Sequence, residues 1–451
     1  MESRHGIDIP ACKSRPCTPG VGAFCLHALR ACLLALALFV PAGLSVGAAG
    51  AQDRPSGEVI RAVAIDLSGN REKSRIVLTL SAPVEARAFL LERPDRVIID
   101  LPQVAFSMPG DSHADGRRKA AGLVASFRYG LFAQGRSRIV IDLKEPALVT
   151  QVVSEPVAKG ATLTIELSRA DRAAYSRAAM QPMVEAAAAL SAAENARAAA
   201  ARASAGADAS ADRRDDRPLI MIDPGHGGVD PGAIRKGVQE KDLVLAFAQR
   251  LQDKIRTGGR YRVQLTRSDD SFVSLRGRVR IAREAGADLF ISVHADSLGG
   301  GGNDSVRGAT VYTSSSIPTD AESAQLAAKE NLADQIAGVE VAEEADDVVG
   351  ILAELTRRET QTLSHIFAER TIETLRAQVR LNRNPQRSAG FHVLKAPDVP
   401  SVLLELGYLS SEQDVALLTS DAWQEKTVSA LVSAIDRFFA RRIAEQGRDK
   451  G

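Results

Sequence analysis

The sequence predicts an α/β domain, a mixed sheet with helices on both faces, preceded by an N-terminal all-β sandwich. Three observations carry this. From residue 217 onward, short apolar runs such as Leu219 to Ile222, Asp288 to Asp296 and Ser401 to Leu406 alternate with amphipathic helical patterns, as strands buried on both faces do. From Val59 to Ser168 the runs are short, β-rich and separated by turn residues. Between them, residues 171–216 are dominated by alanine with almost no large apolar side chains, a composition that buries no core of its own. The chain therefore divides into 1–51, 58–170, 171–216 and 217–445.

Residues 1–51 read as a secretory signal peptide with a long leader. Lys13, Arg15 and Arg30 accompany an apolar core, Ala31 to Val40, which is too short for a membrane span. Ala49-Gly50-Ala51 supplies a small-x-small cleavage pattern. Pro41 and the glycine-rich tail disfavour a retained anchor, so the mature chain is expected in the periplasm with no stable membrane span. Cys12, Cys17, Cys25 and Cys32 all lie in this leader. The mature protein would then be free of cysteine, and any metal in it would take nitrogen and oxygen ligands. In the 451-residue chain a formal net charge of +1 gives no case for nucleic acid, and 4% aromatic residues leave little for a base-stacking platform.

In the first domain the strands are expected at Arg75 to Leu80, Arg96 to Leu101, Arg138 to Leu143 and Thr162 to Leu167. An internal echo joins them: Ser74-Arg75-Ile76-Val77 recurs as Ser137-Arg138-Ile139-Val140, and Pro83 as Pro146, at one common offset. Two similar halves predict two small sheets packed face to face. Arg75, Arg87, Arg93, Arg96, Arg128 and Arg138 alternate with apolar residues, the pattern of a solvated sheet face. No cysteine or paired acid motif marks this domain for chemistry. The alanine-rich segment spans roughly 40 Å as coil or roughly 70 Å as helix, with helix plausible over Met183 to Ser204. Either length would let the two domains move separately.

In the second domain, strands are expected at Leu219 to Ile222, Tyr261 to Thr266, Asp288 to Asp296, Ala309 to Thr313, Gly390 to Lys395 and Ser401 to Leu406. Helices are expected from Glu240, over Leu275 to Ala285, across 320–380 and over Ala422 to Arg441. The first strand ends in Asp223-Pro224-Gly225-His226-Gly227-Gly228, where proline and glycine stop regular structure and present His226 at the strand tip. After a second turn, Asp230-Pro231-Gly232, Glu240 heads a helix whose apolar positions include Leu243, Val244 and Phe247. The strand Asp288 to Asp296 delivers His294 at its far end. Two histidines and a glutamate form the ligand set of an open catalytic zinc site, with water in the fourth position. Glu405 lies inside the apolar run Val402 to Gly407. Burying a lone carboxylate is costly unless it has a partner or a task, so Glu405 is the candidate general base. These residues fall at strand ends, where open sheets place their sites.

The segments IMIDPGHGGVDPGA, GVQEKDLVL, LRGRVRIAREAGADLFISVHADS and VPSVLLELGYLSSEQD closely resemble those of the zinc-dependent N-acetylmuramoyl-L-alanine amidases. The likeness runs from about Pro218 to the last helix, with four motifs in order. It implies that His226, Glu240 and His294 bind one Zn2+, that Glu405 is catalytic, and that the substrate is peptidoglycan, cut between N-acetylmuramic acid and L-alanine in cell-wall remodelling and daughter-cell separation. Arg283 departs from the pattern, which has asparagine there, on a helix outside the ligand set. Residues 58–170 look like the AMIN domain that accompanies division-associated amidases, implying envelope targeting or peptidoglycan binding.

Within the insertion between the strands ending near Thr313 and starting at Gly390, which is longer than hydrolysis requires, residues 338–356 form the candidate regulatory segment. Its start carries Glu340, Glu343, Glu344, Asp346 and Asp347, followed by Val348, Ile351, Leu352 and Leu355. The insertion looks like the regulatory helix of division amidases, covering the site until an activator with a LytM-type domain displaces it. One of the five carboxylates would occupy the open metal position, while Ile351, Leu352 and Leu355 face the core or the activator. The plainer alternative is that acidic residues complement a helix dipole. Two other functions fit less of the sequence: a zinc carboxypeptidase on wall peptides, and a non-catalytic wall-binding scaffold.

Overall fold

A computed structural model of the chain describes residues 59–107, 120–179, 192, 194–200, 202–203, 215–297, 306–339 and 351–448. The signal-peptide segment and the five acidic residues at 340–347 lie outside these.

The N-terminal domain is a two-sheet sandwich. One sheet has the order β5-β1-β2-β9-β8 and the other β3-β4-β7-β6. The strands are β1 (Ile60–Gly69), β2 (Lys73–Leu80), β3 (Arg87–Leu91), β4 (Arg96–Pro102), β5 (Val104–Phe106), β6 (Val124–Ala133), β7 (Arg136–Leu143), β8 (Ala147–Val157) and β9 (Gly160–Arg169). Alternation along β2 and β9 sends Ile76, Leu78, Leu163 and Ile165 inward, where they meet Val97, Ile99, Ile139 and Ile141 of the other sheet in one core. The sequence echo maps one copy onto each sheet, at β2 and at β7.

The arginines of this domain divide: Arg75, Arg87 and Arg93 are solvent-exposed as their spacing suggested, and the other three are not. Arg75 is exposed beside Glu166, but Arg96 and Arg138 are buried and Arg128 is largely covered. Each of these three reaches a carboxylate on its own sheet: Asp142 for Arg96 and Arg128, and Asp100 for Arg138. The reason is tertiary, because the sheet that carries them packs on the second domain.

The second domain has a six-stranded mixed sheet in the order β13-β10-β14-β17-β15-β16. Its strands are β10 (Leu219–Pro224), β13 (Arg262–Leu265), β14 (Leu289–His294), β15 (Ala309–Ser314), β16 (Leu381–Ala389) and β17 (Ser401–Glu405). β13, β10, β14 and β17 run parallel, and β15 is antiparallel to β17. A two-stranded ribbon of β11 (Ile234–Arg235) and β12 (Val238–Gln239) precedes the first helix of this domain.

The helices are α1 (Arg172–Ala179), α2 (Glu240–Gly258), α3 (Leu275–Glu284), α4 (Ala321–Glu330), α5 (Ala333–Ile336), α6 (Ile351–Arg376), α7 (Glu412–Leu418) and α8 (Asp421–Arg448). Alternate residues of the strands feed two cores. Ile220, Ile222, Ile291 and Leu404 pack with Phe247 of α2, Phe367 of α6 and Leu431 of α8. Leu219, Met221, Phe290 and Leu403 pack with Ile281 of α3 and Leu326 of α4.

Two expectations give way. Gly390 to Lys395 is not a strand: His392–Leu394 is a 3-10 turn that buries Phe391, Val393 and Leu394 in the second core. The neighbouring polar stretch Leu381–Ala389 takes the sheet edge as β16, where Arg383 and Asn384 are exposed and the buried Arg387 pairs with Glu322 and Asn382. The linker does not leave the domains independent either. Tyr175 of α1 is buried in the sandwich, its hydroxyl donating to the Leu91 carbonyl and accepting from the Arg96 amide. In the helical stretch 194–200, Glu194 accepts from the Ser274 amide and Ala198 enters the second core. Residues 57–451 thus form one compact unit.

Candidate metal centre

The site is built at the C-terminal ends of three adjacent parallel strands. β10 ends at Asp223 and Pro224, and the chain then turns through His226 at φ 58°, in the left-handed region. Asp223 anchors this turn. It is fully buried and accepts from Arg278 (2.8 Å), Thr266 (2.5 Å) and Ser292 (2.7 Å). Burial alone would raise its pKa, but those partners hold it below the ordinary carboxylate value. Arg278 also donates to the carbonyls of Pro224 and His226, and Arg267 to those of Pro224 and Gly225. The two guanidiniums therefore fix the backbone that presents His226.

Two glycines are required by close approach. A Cβ on Gly225 would run into the His294 ring, and one on Gly232 would lie 2.7 Å from both Glu240 Oε2 and the His226 ring.

His226 and His294 are both buried, with ring centroids 4.9 Å apart and planes at 75°. The Nδ1 of His226 meets Asp230 Oδ2 at 2.8 Å, which turns Nε2 inward. Glu240, the first residue of α2, is completely buried. Its Oε2 accepts from the Ala233 amide and its Oε1 from the Ala295 amide. Glu240 Oε1 stands 3.2 Å from His226 Nε2 and 3.3 Å from His294 Nδ1. Among the described residues these three side chains form a group able to hold a metal, with ligand atoms all within 4.8 Å of one another.

A fourth carboxylate arrives from the end of α4. Glu330 Oε2 lies 3.5 Å from His226 Nε2 and 3.3 Å from His294 Nδ1. Metal–ligand bonds of about 2.0–2.1 Å in a tetrahedron place neighbouring ligand atoms about 3.3 Å apart, the spacing seen here.

The donor set passes a second test of fit. His226 Nε2 and His294 Nδ1 are buried without hydrogen-bond partners, as are Glu330 Oε1 and Glu405 Oε1. Orphaned polar atoms in a buried site are costly unless something binds them. The charge balance asks for a cation too. Although burial opposes protonation of His226, the surrounding Glu240, Asp230 and Glu330 raise its pKa well above the usual value. Nitrogen and oxygen donors in this arrangement suit zinc.

Glu405 ends β17, paired in register beside His294 of β14. Its Oε2 accepts from the Asp296 amide at 3.0 Å. Burial, reinforced by Asp296 and Glu240, raises its pKa well above the ordinary value. Asp296 is itself buried and contacts the Lys329 ammonium; desolvation outweighs that partner and pushes its pKa up to about 7.

All four site residues expected from sequence thus converge: His226, Glu240, His294 and Glu405. Sequence reasoning missed Asp230, Asp223, Arg278 and the pair Lys329–Glu330. Asp230 had a local signal, sitting four residues after His226 in a rigid turn. Glu330 had none, since a glutamate at a helix end is ordinary. Glu340, Glu343, Glu344, Asp346 and Asp347 lie outside the described residues, as do the side chains of Ile351 and Leu352, while Leu355 is exposed. Arg283 pairs with Asp398 at 2.7 Å, away from the metal group.

A cavity of about 10 Å³ touches His226, His294 and Glu330 and is otherwise lined largely by core residues such as Leu275, Phe391 and Leu403. This is room for a single water.

Residues 220–437 match the family model described as N-acetylmuramoyl-L-alanine amidase, and residues 64–167 match the AMIN domain. The chain is 35% identical to the N-acetylmuramoyl-L-alanine amidase AmiA of Salmonella typhimurium over 223 residues, 49% of this chain and 76% of that protein. It is 29% identical to the N-acetylmuramoyl-L-alanine amidase AmiC of Neisseria meningitidis over 381 residues, 83% of this chain and 89% of that protein. Among solved structures, the N-acetylmuramoyl-L-alanine amidase AmiC2 of Nostoc punctiforme matches at 27% identity and a TM-score of 0.36, over 49% of this chain and 97% of that one.

Proposed function

This chain belongs to the N-acetylmuramoyl-L-alanine amidase family, and on that premise we propose that it cuts peptidoglycan at the amide between the lactyl group of N-acetylmuramic acid and L-alanine. The observation that carries the reading is the convergence of His226 Nε2, His294 Nδ1 and Glu240 Oε1, with Glu405 on the adjacent strand. His226, His294 and Glu240 would hold one zinc ion. Its chemistry is Lewis acidity, which activates water near neutral pH and polarises a carbonyl.

The protein's own residues do the rest. Asp230 orients His226 through Nδ1, and the amides of Ala233 and Ala295 fix the two oxygens of Glu240. Glu405 is held at Oε2 by the Asp296 amide while Oε1 has no partner. That free oxygen takes the proton from the attacking water and returns it to the leaving amine. Its raised proton affinity suits both transfers.

Glu330 stands within 3.5 Å of both histidine nitrogens, where it would take the fourth ligand position of a bound zinc and keep substrate from it. We read α4 and α5 as a lock that a separate activator displaces, with Glu330 as its blocking carboxylate. The AMIN match and the AmiC relative fit a periplasmic or extracellular place of work, and the role we propose there is cell separation.

The deciding experiment combines elemental analysis of the purified protein with mass analysis of products from purified sacculi. One zinc per chain and release of intact stem peptides beginning with L-alanine are expected. Release of single amino acids instead would make the protein a carboxypeptidase.

A further inference from the structure

We propose that the N-terminal β-sandwich has a function besides any binding to the wall: it is a clamp that holds the Glu330-bearing segment shut over the metal centre. The inference rests on the reading of Glu330 as the cover of the site.

The sandwich grips the residues that follow Glu330 through two buried arginines. Arg138 of β7 spends Nε and Nη2 on Asp100, at 2.6 and 2.9 Å, and donates through Nη1 to the carbonyls of Ala337 and Gly338, both at 3.1 Å. Its guanidinium lies 3.3 Å from the centre of the Phe132 ring. Arg96 of β4 is paired with Asp142 through Nε and donates through Nη1 to the Gln335 carbonyl at 2.5 Å. Gln335 lies in the last turn of α5 and Ala337 and Gly338 follow it; the Gln335 carbonyl also accepts from the Gly338 amide at 3.0 Å, so the arginines seize a turn already closed on itself. Gly338 fits this seat by lacking a side chain: a Cβ there would lie 2.5 Å from Ile98 Cδ1 of β4.

The same sheet also abuts the loop that presents His226. A Cβ on Gly130 of β6 would come within 2.5 Å of the Gly228 backbone. Phe132 stacks on Phe272 at 6.3 Å with planes 7° apart, and both are buried with Val229 and Ala337. The lock segment is therefore pinned from two sides. Lys329 contacts Asp296, and Asp334 Oδ1 accepts from the Leu275 amide at 2.9 Å on the α/β side; the arginines hold its far end.

The internal repeat supplies a comparison within the same domain. Arg75, the counterpart of Arg138 in the other sheet, is exposed beside Glu166. A buried guanidinium is expensive, and at Arg138 the two lock carbonyls are what its remaining hydrogens serve. Losing those bonds shifts the closed–open balance toward open without touching a ligand of the metal.

The test uses the full chain with two variants, Arg138→Met and Gly130→Leu, each checked for folding by circular dichroism. The first removes the donors and the second wedges β6 away from Gly228, so the proposal does not depend on one substitution folding. Two readouts are taken without activator: amide hydrogen exchange across residues 321–338, and stem-peptide release from sacculi. Exchange about tenfold faster in both variants is expected from loss of charge-assisted hydrogen bonds. In Arg138→Met, basal release should rise in parallel at unchanged zinc content.

Glu330→Ala is run alongside as the control for the underlying reading. Wild-type exchange and release in both folded variants, with Glu330→Ala activated, would overturn the clamp and leave the lock standing. No activation by Glu330→Ala would remove the lock, and the clamp with it.

Discussion

Glu330 Oε2 stands 3.3 Å from His294 Nδ1 and 3.5 Å from His226 Nε2, and in the proposed zinc site it would stand in for the water. Glu330→Gln removes the charge with little change of shape and weakens the cover. Basal release of stem peptides from sacculi should rise by about tenfold or more, the shift that about 1.4 kcal/mol produces in a two-state balance. A basal rate equal to wild type would reject Glu330 as the block.

Asp230 meets His226 at Nδ1 and holds the Gly232 amide of the same turn. Losing a carboxylate that orients a ligating histidine weakens metal binding by about 10–100-fold. Asp230→Asn should show that loss in competition with a chromophoric chelator and regain most activity when zinc is supplied in excess. Unchanged affinity would mean that the turn alone orients the ring.

Glu405 is assigned to proton transfer and not to ligation. Glu405→Gln should keep its zinc and lose amide hydrolysis by about 10²–10⁴-fold, the usual worth of a positioned acid–base group. Full turnover in a zinc-loaded variant would falsify the assignment.

Asp334 gives a pH signature. Desolvation raises its pKa to about 6, against the pull of the Leu275 amide and of Arg278. A carboxyl that is more basic folded than unfolded favours folding when protonated. That advantage is fully present below about 3.8 and is lost as the pH rises through about 6. Asp334→Asn keeps an acceptor for Leu275 and carries no charge. It should stabilise the protein at pH 7 by on the order of 2 kcal/mol and cancel the wild type's corresponding loss between pH 4 and 7, as read from denaturant midpoints. Parallel pH profiles of the two proteins would count against it.

Arg278 and Asp223 form a buried pair at 2.8 Å beneath the His226 turn. Removing one member leaves the other charge uncompensated, so Arg278→Ala should cost about 3–5 kcal/mol of stability. Urea unfolding measures it, and a loss below 1 kcal/mol would show that Thr266 and Ser292 suffice for Asp223.

Much of the metal group was legible because its signals are local. Proline and glycine end β10 at His226, an apolar run ends at His294, and Glu405 interrupts another apolar run. Parallel strands carry such ends to one edge of a sheet whatever their separation in the chain. The strand misplaced at Gly390 to Lys395 shows where that logic fails. Phe391, Val393 and Leu394 are apolar because they fill a core as a 3-10 turn, while the sheet edge goes to the polar stretch Leu381–Ala389, whose pattern carries no strand signal.

The arginines make the same point more sharply. Arg75 and Arg138 occupy equivalent places in a repeat, and nothing near them in sequence tells the exposed one from the buried one. Composition, periodicity and turn chemistry by themselves determined the two domain types, the inward faces of the strands and the strand and helix ends at which His226, Glu240, His294 and Glu405 stand, because each depends on neighbours within a few positions. The tertiary structure alone decided that Glu330 faces the histidines and that Arg138 seats the chain behind it. Those contacts join segments distant in the chain, and their energies come from burial and desolvation that exist only once the surfaces have met.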